Sequence, residues 1–152
     1  MSSTRWASWP TVPPPSTTVG PVAAAADGRV GALLVASGQA AETLAIINIA
    51  EAGDHIVAAA PLYGGTFNLI KRTLPRYGIE ATFVEDVNDV QAWRDAVRPN
   101  TKLFFAETIS NPRSAVLDVR AVADAAHEAG VPLVVDNTIA TPWVLRPIEH
   151  GA

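Results

Sequence analysis

Four short polar clusters in this sequence stand next to apolar runs, at positions where loops could present polar groups to a ligand. "PLVV" ends in Asp136, Asn137 and Thr138; "KLFFA" leads to Glu107, Ser110 and Asn111; "HIVAAAP" leads to Tyr63 with Gly64-Gly65; and Ser37-Gly38-Gln39 opens the longest helical stretch. A helix N-terminus offers unpaired N–H groups and the positive end of a dipole, and a glycine there lets a ligand reach the backbone. Gly38 and Gln39 are therefore a candidate phosphate seat, although Ser37 also fits an ordinary N-cap. Tyr63 could lay its ring on a flat ligand or pack near the surface. Asp136 has three readings: a loop cap, a metal ligand in the manner of a Walker B acid, or a partner for a ligand cation. The metal reading is weak, because neither GxxxxGK[ST] nor GxGxxG occurs in the chain. Asn111-Pro112 fits a turn, Glu107 fits a buried acid paired with an arginine, and His127 fits the solvent face of its helix.

Residues at such positions need a scaffold that brings strand ends together. From about Arg29 the sequence alternates short apolar runs with helical stretches. "VGALLVA" leads to the helix "QAAETLAIINIAEAG", closed by Gly53. "HIVAAAP" reads as a strand, "GGTFNLIKRTLPRYG" as a second helix and "IEATFVED" as a strand. "DVQAWRDAV" reads as a third helix capped by Asp89, and "TKLFFAET" as a strand. "DVRAVADAAHEAG" is a helix capped by Asp118 and stopped by Gly130, and "PLVVDN" is the last strand. This alternation predicts an α/β fold with a mostly parallel sheet and flanking helices. In such a sheet ligands sit beyond the carboxyl ends of the strands, where the polar clusters fall.

Residues 1–28 differ in kind. They hold five of the twelve prolines and show no strand or helix periodicity. A disordered Pro/Ser/Thr/Ala-rich segment is expected there, with one domain over residues 29–152.

Composition narrows the function. The net charge of −4, with nine Arg and two Lys scattered along the chain, argues against nucleic acid or an anionic membrane as partner. There is no cysteine, so disulfides, thiolate metal sites and a Cys nucleophile are excluded. His55, His127 and His150 lack metal-ligand spacing, so no metal is expected. The apolar runs are too short to cross a bilayer and no signal peptide opens the chain, so a cytoplasmic protein is expected.

The ordered set "ASGQAAETLAI", "GDHIVAAAPLYGGT", "RPNTKLFFAETISNP" and "GVPLVVDNTIATP" resembles the Cys/Met metabolism family of pyridoxal-phosphate (PLP) enzymes over roughly residues 30–152. That resemblance implies part of the large domain of the aspartate-aminotransferase-like (fold type I) PLP fold. "LYGGT", "ETISNP" and "DNTIATP" look most like the O-acetylhomoserine sulfhydrylase branch, with cystathionine γ-synthase or lyase as the alternative within the family. A non-catalytic α/β binding module is the alternative outside it.

What the resemblance implies can be placed residue by residue. The N–H groups of Gly38 and Gln39 would take the phosphate, Tyr63 would stack on the ring, and Asp136 would pair with the pyridinium nitrogen. Asn111 would approach the phenolic oxygen on the substrate-carboxylate side, and Thr138 would support the ring from behind. Glu107 is expected to be structural. The implied reaction is a γ-replacement on a small amino-acid substrate in a homo-oligomer, a dimer or tetramer. The family's cofactor-holding lysine lies in a Ser-x-Thr-Lys setting beyond the Asp strand, and neither Lys71 nor Lys102 has that setting. No catalytic residue is therefore assigned, and the chain reads as a portion of such an enzyme, inactive by itself. By the same resemblance, a C-terminal domain and an N-terminal arm reaching a neighbouring subunit are expected to be missing. Exposed sheet edge and apolar surface, with poor solubility or association, are expected as a result.

Overall fold

The computed structural model describes residues 31–152. The expectation of disorder over residues 1–28 lies outside the described residues. Residues 31–37 have no regular structure and lead into helix α1 (Gly38–Ile47). Strand β1 (His55–Ala59) follows, then helix α2 (Gly64–Asn68), strand β2 (Glu80–Val84), helix α3 (Val90–Asp95) and strand β3 (Thr101–Glu107). Helix α4 (Val119–Glu128), strand β4 (Leu133–Asp136), the short helix α5 (Thr141–Val144) and a 3-10 turn over Pro147–His150 complete the chain.

The four strands form one sheet in the order β2-β1-β3-β4, and every pairing is parallel. The chain leaves β1 towards β2 and leaves β3 towards β4. Connections thus diverge between the carboxyl ends of β1 and β3, which opens a crevice at this switch point.

Both faces of the sheet are covered, as its apolar strands require. Successive strand residues point to opposite faces. Phe104 stacks on Trp93 of α3, ring centroids 5.2 Å apart, and the fully buried indole N–H donates to the Val87 carbonyl at 3.0 Å. Helix α4 packs on the same core with Val119, Val122, Ala123, Ala125 and Ala126 buried. Phe105 points the other way, towards Ala41 and Ala45 of α1. The odd-numbered residues of β3, Glu107 among them, therefore share the α1 face.

Helix boundaries follow local chemistry. Asp89 accepts from the N–H groups of Gln91 and Ala92, and Asp118 from that of Ala121, which starts α3 and α4 where their aspartates stand. Two expected helices differ. The first stops at Ile47 rather than running to Gly53. Asp54 bends the chain into a turn instead, its carboxylate accepting the Glu51 N–H at 2.9 Å. The second changes pitch along its length, from α2 to a π-helical turn at Leu69–Thr73 and a 3-10 turn at Leu74–Tyr77. Pro75 supplies no N–H to the ladder, so a single α-helix cannot continue through it.

At the amino end of the sheet, opposite the crevice, buried His55 bridges Thr101 (Nδ1 to Oγ1, 2.8 Å) and Thr82 (Nε2 to Oγ1, 2.9 Å). The imidazole thus ties β1 to both neighbours. Among the described residues no helix is long and apolar enough to cross a membrane.

Candidate functional site

The parallel register sets Glu107 directly beside Asp136 at the carboxyl ends of β3 and β4, both towards the α1 face. Asp136 is held by its own loop. The Thr138 N–H donates to Asp136 Oδ1 at 2.8 Å and the Thr138 hydroxyl donates to the same oxygen, which leaves Oδ2 without a donor among the described residues. Glu107 closes the switch point: its Oε1 accepts the Tyr63 N–H at 2.6 Å and its Oε2 the Asn111 N–H at 3.0 Å. The loops leaving β1 and β3 are joined through this one carboxylate. The turn after Asn111 is fixed by buried Ser110, whose Oγ accepts the Ala115 N–H at 3.0 Å.

Helix α1 faces these strand ends. Ser37 caps it by accepting the Ala40 N–H at 3.1 Å, so the N–H groups of Gly38 and Gln39 keep no acceptor among the described residues. The space beside Gly38 is open, since a Cβ built there meets no atom within 4 Å. Gly65 is the reverse case. A Cβ there would stand 2.5 Å from Gln39 Oε1 and 2.6 Å from Tyr63 Cε1, so this glycine lets the tyrosine ring and the Gln39 amide close over the start of α2.

Between them lies a cleft of about 370 Å³, lined by Gly38, Gln39, Glu42, Tyr63, Glu107, Ile109, Asn111, Asp136, Thr138 and Ile139. Among the described residues its lining holds three carboxyl groups and no Lys, Arg or His. Burial pushes the Glu42 carboxyl up to about 7; the Thr66 hydroxyl, which donates to Oε1 at 2.7 Å, opposes the rise, and the Asp136 and Glu107 carboxylates add to it. Burial also raises Glu107, while the two backbone N–H groups it accepts hold it back. The three acids do not form a metal set, as no group of His, Cys, Asp and Glu suited to a metal ion occurs among the described residues.

An anion seat at a helix start, an open tyrosine face and a carboxylate with one free oxygen suit a flat ligand that is anionic at one end and cationic at the other. Comparison with known proteins agrees with that chemistry. The family model described as "Cys/Met metabolism PLP-dependent enzyme" matches residues 13–152. The chain belongs to this PLP-dependent family.

Among characterised members, the O-acetyl-L-homoserine sulfhydrylase of Corynebacterium glutamicum is 54% identical over 129 residues, 85% of this chain and 30% of that protein. An O-acetylhomoserine sulfhydrylase of Wolinella succinogenes superposes with a TM-score of 0.82 at 42% identity, covering 86% of this chain and 38% of that one. A Campylobacter jejuni structure described as an O-acetylhomoserine (thiol)-lyase superposes with a TM-score of 0.85 at 37% identity, covering 88% of this chain and 32% of that one; it contains a pyridoxyl phosphate group carried on lysine. The chain thus spans about a third of the length of these relatives. The family match begins at residue 13, inside the Pro-rich segment and well before the motifs that carry the resemblance.

For a chain of this PLP-dependent family the structure gathers Gly38, Gln39, Tyr63, Asn111, Asp136 and Thr138 around one cleft. Two details differ from expectation. Glu107 is buried but has no arginine partner among the described residues; its ligands are the backbone N–H groups of Tyr63 and Asn111. Glu42 lines the cleft and carried no signal of its own, because a lone glutamate in the second turn of a helix reads as surface. Its spacing was the available clue, three residues after Gln39 and four after Gly38, on the same helix face. Neither lysine reaches the cleft. Lys71 lies over the Phe83 ring, 5.6 Å from its centroid, and Lys102 pairs with Asp54 at 3.7 Å at the amino end of the sheet. His127 is exposed on α4.

Proposed function

We propose that this chain forms the cofactor-cradling part of a PLP-dependent enzyme that replaces the γ-substituent of O-acetylhomoserine with sulfide or a thiol, giving homocysteine or a relative. The observation that carries this reading is the placement of Asp136, one oxygen free, across a cleft of about 370 Å³ from the unpaired N–H groups of Gly38 and Gln39. The homology to sulfhydrylases supports the substrate class. PLP, when bound, supplies an electron sink for charge released at the Cα of an amino-acid substrate.

The chain's own groups bind and orient. The N–H groups of Gly38 and Gln39 receive the phosphate at the positive end of α1. Tyr63, half exposed at the cleft, offers its ring as a stacking face. Asp136 stays fixed by Thr138 and presents Oδ2 to a pyridinium nitrogen, where a carboxylate favours the protonated form. Asn111 stands at the rim where the substrate carboxylate would approach, and Thr138 backs the ring through its hold on Asp136. Glu107 keeps the Tyr63 and Asn111 loops at a constant separation. No proton transfer is assigned to Lys71 or Lys102, since both stand outside the cleft. We read residues 1–152 alone as able to bind the cofactor without turnover, and the working enzyme as a homo-oligomer.

Two measurements test this. Added PLP should bind saturably, followed by cofactor fluorescence, and Asp136→Ala should abolish that binding. Borohydride reduction should leave no pyridoxyl adduct on Lys71 or Lys102 by peptide mass spectrometry. Equal binding by wild type and Asp136→Ala would overturn the cofactor assignment, and a stoichiometric adduct on either lysine would overturn the binding-only assignment.

A further inference from the structure

The cleft is lined by Glu42 from α1, Glu107 from β3 and Asp136 from β4, and among the described residues its lining contains no cationic side chain. Three carboxyls this close cannot all be ionised without a large mutual repulsion. Their surroundings differ in what each can accept. Glu107 receives two backbone N–H groups, which favour its anion. Asp136 receives two donors from Thr138 on one oxygen. Among the described residues Glu42 receives only the neutral Thr66 hydroxyl at 2.7 Å and the Gln39 side-chain amide at 3.1 Å, and it lies within hydrogen-bonding reach of Asp136. Of the three, Glu42 is best placed to carry a proton and donate it to a neighbour.

We propose that Glu42 is a positioning residue that acts as a neutral acid, its carboxyl O–H donating to Asp136 and fixing that carboxylate for the ring nitrogen of the cofactor. The contact also links α1, which carries the phosphate seat, to β4, which carries the ring partner. Among the described residues, the groups facing Glu42 are Gln39 on its own helix, Thr66 on α2, Tyr63 at the entry to α2, Glu107 on β3 and Asp136 on β4. None is a cation, so a phosphate dianion arriving at Gly38 further disfavours a charged Glu42. Burial acts in the same direction, the carboxyl being pushed up to about 7 before any ligand arrives. Cofactor affinity then depends on a proton held at Glu42, and deprotonation with rising pH weakens binding. This inference rests on the cofactor reading above, but its central statement concerns the ligand-free chain.

The test has two parts. First, ¹³C-carboxyl NMR of the ligand-free chain, with the Glu42 signal identified by its loss in Glu42→Gln, should show that carboxyl titrating near neutrality. Titration together with the exposed glutamates would overturn the proposal whether or not PLP binds. Second, PLP affinity is measured from pH 6 to pH 8.5, with folding monitored by circular dichroism. One linked proton weakens wild-type binding by up to about tenfold per pH unit above the titration point. Glu42→Gln, a permanent neutral donor of the same shape, should retain wild-type affinity at pH 6 and lose less of it as pH rises. Glu42→Ala should bind weakly at every pH. Parallel pH curves for wild type and Glu42→Gln would overturn the proposal. Loss of pH-independent affinity in Asp136→Ala bears only on the cofactor reading.

Discussion

The backbone N–H of Tyr63 donates to Glu107 Oε1 at 2.6 Å, joining the loop after β1 to the last residue of β3 across the switch point of the sheet. With the Asn111 N–H on Oε2, both oxygens of this buried carboxylate are engaged by backbone. Glu107→Gln would set an amide NH₂ against one of these N–H groups. A buried donor left without an acceptor costs about 1–3 kcal/mol, so urea unfolding should show a loss of that size. PLP affinity should fall with it, because Tyr63 loses its anchor. Unchanged stability would show that the bridge contributes nothing.

A second prediction concerns Gly65. The added Cβ of Gly65→Ala would overlap Gln39 Oε1 and the Tyr63 ring, both of them side chains at the cleft. Relief requires the ring or the amide to move. Overpacking costs about 1–3 kcal/mol, equivalent to about a 5- to 150-fold loss of cofactor affinity if the strain falls on the bound form. Near-normal thermal stability with weakened PLP binding is expected; wild-type affinity would refute the crowding argument.

His55 predicts a pH dependence of stability. Burial, with Arg98 nearby, lowers its pKa from the ordinary value, while Glu80 opposes the shift. The unfolded chain therefore binds the proton first as pH falls. The neutral His55 contribution is complete above about pH 6.5 and is lost as pH falls from there through the folded-state value. Glu42 and Glu107 act in the opposite sense: with folded pKa values raised, their contributions are complete below about pH 4.5 and are lost as pH rises through the folded values, about 7 for Glu42. Comparing wild type with His55→Gln isolates the histidine. The stability difference should move against wild type between pH 6.5 and 5, and a constant difference would exclude the effect.

Surface composition gives a fourth prediction. Leu33, Leu34, Leu44 and Ile47 are exposed around α1, with Leu33 at 80%, and among the described residues β2 and β4 each pair on one side only. Exposed apolar surface beside α1 favours association. The isolated chain should self-associate in sedimentation velocity, and Leu44→Glu with Ile47→Glu should reduce it. Monodisperse monomer at high concentration would contradict this.

Much of the scaffold was legible because strand and helix signals agreed locally. Asp89 and Asp118 stand where their side chains cap α3 and α4, and the apolar runs before Tyr63, Glu107 and Asp136 form adjacent strands. The sequence did not reveal what depends on side chains from distant segments. Asp54 reaching back to Glu51 shortens the first helix. Glu107 finds backbone donors instead of an arginine because the β1 loop passes within 2.6 Å of it. Glu42 acquires its setting only when α1 is laid over β3 and β4, a relation that no local pattern encodes.

Helix α1 touches the rest of the protein lightly. Ile46 is its only buried residue, whereas β1 is buried throughout and β3 at every position but Lys102. Opening free energies follow such differences in burial. The amides of α1 should therefore exchange with deuterium well before those of β1 and β3, so the phosphate-receiving half of the cradle samples open states while the half that holds Asp136 and Glu107 persists. Ligand capture would then slow exchange mainly in α1, coupling the order of one helix to occupancy of the site.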